Sequence, residues 1–154
     1  MTAQQRMWPQ ALTEVSATKK VALGSIRHER SKVYKYVLYD EGTAALDVVA
    51  GDVVVYVAAT GYTTNTVTPD ASDGDGVGAG VILATVTDDA QYIWIQIKGP
   101  ATLAVALTGG ADGNALTSVG AADKTLDVSA LVTDSICATA IDASAKTIAC
   151  DFVI

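Results

Sequence analysis

The sequence predicts an all-β fold: a small β-barrel or β-sandwich of short antiparallel strands, preceded by an extended N-terminal arm. Three observations lead there. Of 154 residues, 63 are Ala, Val or Thr and only nine are aromatic. Small and β-branched side chains of this kind suit pleated, half-buried surfaces and disfavour long helices. Half of the residues are apolar, which excludes wholesale disorder. Short apolar or alternating runs recur at a spacing of about 8–12 residues between turn signals, as in sandwiches and small barrels rather than βαβ units. The length fits one domain that hides roughly 68–70% of its unfolded surface, enough for a core without metal or disulfide staples.

Residues 1–32 are polar and basic, carry Trp8-Pro9 and sustain no period of 2 or 3.6. They read as an arm, with room for a short helix within 10–16. A free arm on a small domain usually frays, so this one is expected to be held, which hints at an assembly. The β domain is then 33–154. Strands are expected at 33–39 and 52–58, then at 81–86 and 91–98 around the polar turn Thr87-Asp88-Asp89-Ala90. A strand at 101–107 follows Gly99-Pro100. Short runs at 114–119 and 125–128 come next, and 135–141 and 146–154 flank a turn at 142–145.

A hairpin centred on Asp88-Asp89 sets Ile93 opposite Ala84 and Ile95 opposite Ile82. Ile93, Ile95 and Ile97 then share one face, expected to be core. Tyr92, Trp94, Gln96 and Lys98 take the other, which suits a second layer, a subunit or a ligand. A weak internal repeat aligns 82–88 with 136–142, and Ile93, Ile95 and Ile97 with Ile148, Cys150 and Phe152. Two such hairpin units about a pseudo-twofold axis would build one small barrel.

The net charge of −7 is unevenly divided: residues 1–36 sum to +5 and residues 37–154 to −12. An acidic body repels nucleic acid and anionic membranes, because affinity for phosphate comes from Lys and Arg. The basic part instead suits an acidic partner surface. No stretch reads as a membrane span, and the N-terminus lacks the basic start and apolar block of a signal peptide. The expectation is a soluble, cytosolically made protein.

Chemical motifs are few. A hairpin centred on Ala143-Ser144 would set Cys137 opposite Cys150, which permits a cross-strand disulfide; the ordinary alternative is two small buried thiols. Gly74-Asp75-Gly76-Val77-Gly78-Ala79 imitates a dinucleotide fingerprint, but it neither follows a strand nor opens a helix. A calcium loop starting at Asp73 has Ala84 where its twelfth position needs Glu. The 70–80 segment therefore reads as a flexible acidic loop, with an incidental cation site as the alternative. His28 stands alone in a basic run, and no paired carboxylates or metal-ligand spacing occur. The reading is a non-enzyme without cofactor or metal. Its candidate partner-binding residues are Arg6, Trp8, Lys19, Lys20, Arg27 and Arg30, because aromatic and Arg anchors dominate interfaces. The alternative for Trp8 is that it folds onto its own domain. Tyr92, Trp94 and Gln96 form a candidate subunit or ligand face.

The order of features resembles a known group. A short apolar run, Val21-Ala22-Leu23-Gly24-Ser25-Ile26, precedes Val33-Tyr34-Lys35-Tyr36-Val37, then Ala50-Gly51-Asp52-Val53-Val54 and Gly80-Val81-Ile82-Leu83-Ala84. Next comes Tyr92-Ile93-Trp94-Ile95-Gln96-Ile97-Lys98-Gly99-Pro100-Ala101, with a Gly/Ala-rich part after it. Across about residues 20–154 this is similar to the small β-rich head decoration, or cement, proteins of tailed bacteriophages. The resemblance implies a structural virion protein on the outer capsid surface, bound to the major capsid protein and to itself, expected as a homotrimer. The competing function is a receptor- or carbohydrate-binding module of a tail or fibre, with Tyr92 and Trp94 as a stacking platform.

Overall fold

The computed structural model describes residues 7–154 and is all-β, as the sequence predicts. Its strands are β1 (Ile26–Glu29), β2 (Lys32–Tyr39), β3 (Val53–Val57), β4 (Thr66–Thr68), β5 (Gly74–Ile82), β6 (Gln91–Thr102), β7 (Ala115–Thr117), β8 (Asp127–Val128), β9 (Ile136–Asp142) and β10 (Thr147–Asp151). One helical turn, Gly61–Thr64, joins β3 to β4.

All ten strands belong to one hydrogen-bonded sheet, and the pairing of β2 with β6 closes part of it on itself. The ring runs β2-β4-β3-β5-β6 and back to β2, a five-stranded barrel in which only the β2–β4 contact is parallel. β1 hangs on β2 as a hairpin. Beyond Lys98, β6 leaves β2 behind and pairs with β10, which carries β9, β7 and β8 in turn. The C-terminal strands thus form an antiparallel extension of the barrel wall.

The alternation in β2 and β6 decides what lies inside. Lys35, Val37 and Tyr39 pair across from Ile95, Ile93 and Gln91. Val37, Tyr39, Ile93, Ile95 and Ile97 all join the main core, so the predicted isoleucine face is correct. So is the register of Ile82 opposite Ile95. Ile93, however, pairs with Val37 and not with Ala84. Lys35 turns inward too and is only 5% exposed. Its Nζ donates to the Tyr56 hydroxyl at 2.9 Å and lies 5.2 Å and 5.5 Å from the Tyr56 and Tyr62 ring centres. Burial lowers the pKa of this amine.

Several boundaries differ from expectation for physical reasons. The sheet begins at Ile26, inside the segment read as arm, because 26–29 finds the free edge of β2. The 74–80 segment is strand and not a flexible loop. Its glycines fit tight places: a Cβ at Gly80 would lie 2.7 Å from the Gln96 carbonyl oxygen, and one at Gly78 3.0 Å from the Phe152 ring. Asp70 and Asp73 spend their carboxylates on backbone N–H groups of Ala44, Ser72 and Thr43. Gly99-Pro100 does not end a strand either, since Gly99 at φ 93° turns β6 toward β10. The two segments aligned as a repeat take different places: β5 and β6 are barrel staves, whereas β9 and β10 lie outside the ring.

The cysteines are also displaced from their predicted pairing. The hairpin is centred one residue later than expected, with Thr147 facing Asp142, and the register shift after Thr147 recovers only one place, leaving Cys150 opposite Ala138; Cys137 and Cys150 are free, buried thiols. Burial pushes both up to about 12. Unfolded thiols ionise at about 8.5. Unfolding therefore releases protons between these values, and stability falls as the pH rises through that window.

Two outcomes follow. Ile95→Ala should cost ~2–5 kcal/mol in urea titration, because it empties a fully enclosed site in the barrel. Both thiols should resist a thiol-specific reagent at neutral pH and react together once denaturant unfolds the chain; prompt labelling of either in the folded protein would contradict their enclosure.

Candidate docking surface

The outer face of the β2–β6 pair is aromatic where a solvated barrel wall would be polar. Tyr36 lies opposite Trp94 across the ladder, and with Tyr34 they form a second apolar cluster. Residues 7–25 cover it as an irregular strap, contributing Trp8, Leu12, Val21 and Leu23. Trp8 meets Trp94 edge-on, with ring centres 5.0 Å apart and planes at 82°. Aromatic pairs in this geometry contribute about 0.5–1.5 kcal/mol beyond their buried area.

Gln10 pins the strap. It is fully buried, and its Nε2 donates to the Glu14 and Tyr92 carbonyl oxygens, both at 2.8 Å. Its Oε1 accepts from the Tyr36 hydroxyl at 2.6 Å. Ser16 and Tyr92 then exchange backbone bonds of 3.2 Å and 2.7 Å, a single rung of antiparallel ladder. The strap is therefore held by its own barrel, which corrects the inference that an ordered arm needs an assembly.

The predicted binding residues divide accordingly. Arg6 lies outside the described residues. Trp8 folds onto its own domain rather than standing out as an anchor. Arg27 pairs with Glu29 and places its guanidinium carbon 6.0 Å and 5.9 Å from the Trp8 and Trp94 ring centres. Lys20 is exposed and pairs with Glu14, whose carboxyl it holds below the usual range. Lys19 and Arg30 are exposed, with no ion pair among the described residues.

The expected subunit or ligand face is largely closed. Trp94 is 1% exposed and Gln96 2%, and Gln96 Nε2 donates back to the Lys98 and Pro100 carbonyl oxygens of its own strand. Only Tyr92 retains partial exposure. A stacking platform needs a free ring face, and the strap occupies the one beside Trp94. The Trp94 indole N–H is buried without an acceptor among the described residues.

Two surfaces escaped the sequence reading. The β1–β2 hairpin borders an open hollow of about 740 Å³ lined by His28, Glu29, Arg30, Ser31, Lys32 and Tyr34. The opposite end of the barrel is acidic, where Asp40, Glu41, Asp47, Asp88 and Asp89 gather around the ends of β2 and β6; the Glu41 N–H donates to Asp89 Oδ1 at 3.2 Å. The acidic grouping draws on separate segments, so only a strand pairing could reveal it. Among the described residues no group of three or more His, Cys, Asp or Glu side chains is placed to hold a metal ion, and no helix is long and apolar enough to cross a membrane. His28 is exposed on β1 opposite Val33.

No protein-family model, curated protein or solved structure matches the chain.

Gln10→Leu removes the donors to Glu14 and Tyr92 and takes away the acceptor of the Tyr36 O–H. It should cost about 1–3 kcal/mol and open the strap. Acrylamide quenching of Trp94 fluorescence, read in a Trp8→Phe background, should rise from near zero; unchanged quenching would show that the strap is fastened without Gln10.

Proposed function

We propose that the chain is a structural protein of a tailed-phage virion, bound to the major capsid protein on the outer capsid surface and bracing the lattice. The observation that carries this reading is the strap. A basic segment without regular structure is fastened to a barrel wall by Gln10, Trp8 and the Ser16–Tyr92 rung. Its outward lysines, Lys19 and Lys20, thus sit in fixed positions before any partner arrives. Pre-ordering of this kind removes part of the entropic cost of docking. The partner chemistry is an acidic protein surface, since the strap offers exposed cations beside apolar backing. Individually weak contacts suffice when symmetry repeats them many times on one particle. The sequence resemblance to head decoration proteins points the same way. The barrel serves as a rigid spacer with no chemical role, and no cofactor enters.

Copy number in purified particles tests the reading. Quantitative mass spectrometry against the major capsid protein should give hundreds of copies per virion. A handful would place the chain at a tail or vertex, and absence would discard the virion role. Lys19→Glu with Lys20→Glu should lower capsid occupancy and make the remainder more sensitive to salt. Arg27 is left intact in this test because its guanidinium lies beside both tryptophans. Equal occupancy of the variant would remove the strap from the contact.

A further inference from the structure

The two ends of the barrel carry opposite charge, and the strand register fixes them apart. β2 starts at Lys32 beside the hairpin turn and ends at Tyr39 beside the acidic loops. Eight residues of strand separate these ends by roughly 25 Å. β6 runs the other way, from Gln91 beside Tyr39 to Lys98 beside Val33.

At the first end the hollow collects His28, Arg30 and Lys32, with Arg27 and Lys98 nearby. The facing acids are already committed, Glu29 to Arg27 and Asp151 to Lys98. Arg30 and Lys32 have no ion pair among the described residues. Arg30 stands at φ 53° in the tight turn between β1 and β2 and is exposed. At the second end the turn Thr87-Asp88-Asp89-Ala90 is exposed throughout and projects beyond β6. Asp88 makes no hydrogen bond or ion pair among the described residues, and Asp47 beside it is likewise exposed. Tyr39, buried behind this end, has its pKa raised by burial first and then by Asp47, Glu41 and Asp89, which locates those carboxylates together.

One end is therefore a cationic hollow, and the other carries an exposed anionic turn. The geometry points to head-to-tail association of this chain with itself: the acidic 87–90 turn of one copy enters the basic hollow at Arg30 and Lys32 of the next. Charge complementarity names the occupant, because the chain itself supplies both surfaces, and Arg30, Lys32 and Asp88 have no ion-pair partner among the described residues. Such a contact is heterologous, so repetition yields a closed ring where the rotation closes and a chain of copies where it does not. The inference deepens the proposed function, in which neighbouring copies share a lattice, yet it concerns a contact separate from Lys19 and Lys20 on the strap.

Sedimentation of the purified full chain tests it without any capsid. Self-association should appear at about 0.1 M salt and weaken at about 1 M, as the Debye length falls from about 10 Å to about 3 Å. Arg30→Glu and Asp88→Lys should each raise the dissociation constant at least about tenfold, since each sets like charges face to face. The chain carrying both substitutions should recover association, because the pair is restored with its signs exchanged. Neither side chain packs in the core, and an unchanged thermal midpoint verifies the fold; should Arg30→Glu fold poorly, Lys32→Glu serves in its place. A chain that stays monomeric at low salt overturns the inference. So does an oligomer unmoved by either substitution, or a loss that the double variant does not recover. Capsid occupancy is read separately: Asp88→Lys particles that keep their copy number while the free protein loses association would separate this contact from the lattice role.

Discussion

The antiparallel pairing of β2 with β6 is the contact on which the rest of the molecule depends. It turns an open sheet into a ring and so removes two strand edges that would otherwise invite pairing with other chains. It also has two apolar faces. Inward, Val37 and Tyr39 meet the isoleucines of β6; outward, Tyr36 meets Trp94. A barrel wall that is apolar on its outer side needs a cover. The strap is therefore a consequence of ring closure, and the Trp8–Trp94 contact belongs to the fold as much as Ile95 does.

That view explains where polar groups are placed. Buried polar atoms cost stability unless they are bonded, and the outer layer contains one buried side-chain amide at each end. Gln10 uses its donors and its acceptor to join three segments. Gln96 folds back on its own strand and blocks no pairing, since its amide reaches the Lys98 and Pro100 carbonyls just where β6 turns at Gly99. The indole N–H of Trp94, without an acceptor among the described residues, is the exception. Its cost is set against contact with Trp8, Tyr36 and the Arg27 guanidinium.

Much of the barrel was legible because strand periodicity is a local signal. The isoleucine face of β6 and the Ile82–Ile95 register came from alternation and turn position alone. What failed were features that a partner strand decides. The glycines of β5 look like loop until β6 and Phe152 press against them. The β9–β10 turn is centred one residue beyond Ala143-Ser144, so even after the register shift at Thr147 Cys150 faces Ala138 and not Cys137, and a slip of this kind leaves no mark in the residues themselves. The strap was harder still. An irregular segment has no period, so Trp8 could be read as an anchor or as core with equal justice, and nothing around Gln10 distinguishes it from a surface glutamine.

The same packing redistributes the charge that the sequence placed on the N-terminal part. Lys35 points into the barrel, and Lys20 and Arg27 are paired within the chain. Apart from the buried Lys35, the basic residues described before Val37 that lack an ion pair among the described residues are Lys19, Arg30 and Lys32. They lie in two places: on the strap, and at the hairpin turn. The described part of this basic block is thus not one broad cationic arm but two small, separate sites. Exposed ion pairs contribute at most about 1 kcal/mol each, so neither site alone can hold a partner tightly. Function through such sites requires repetition, and a closed barrel that fixes their spacing is well suited to supply it.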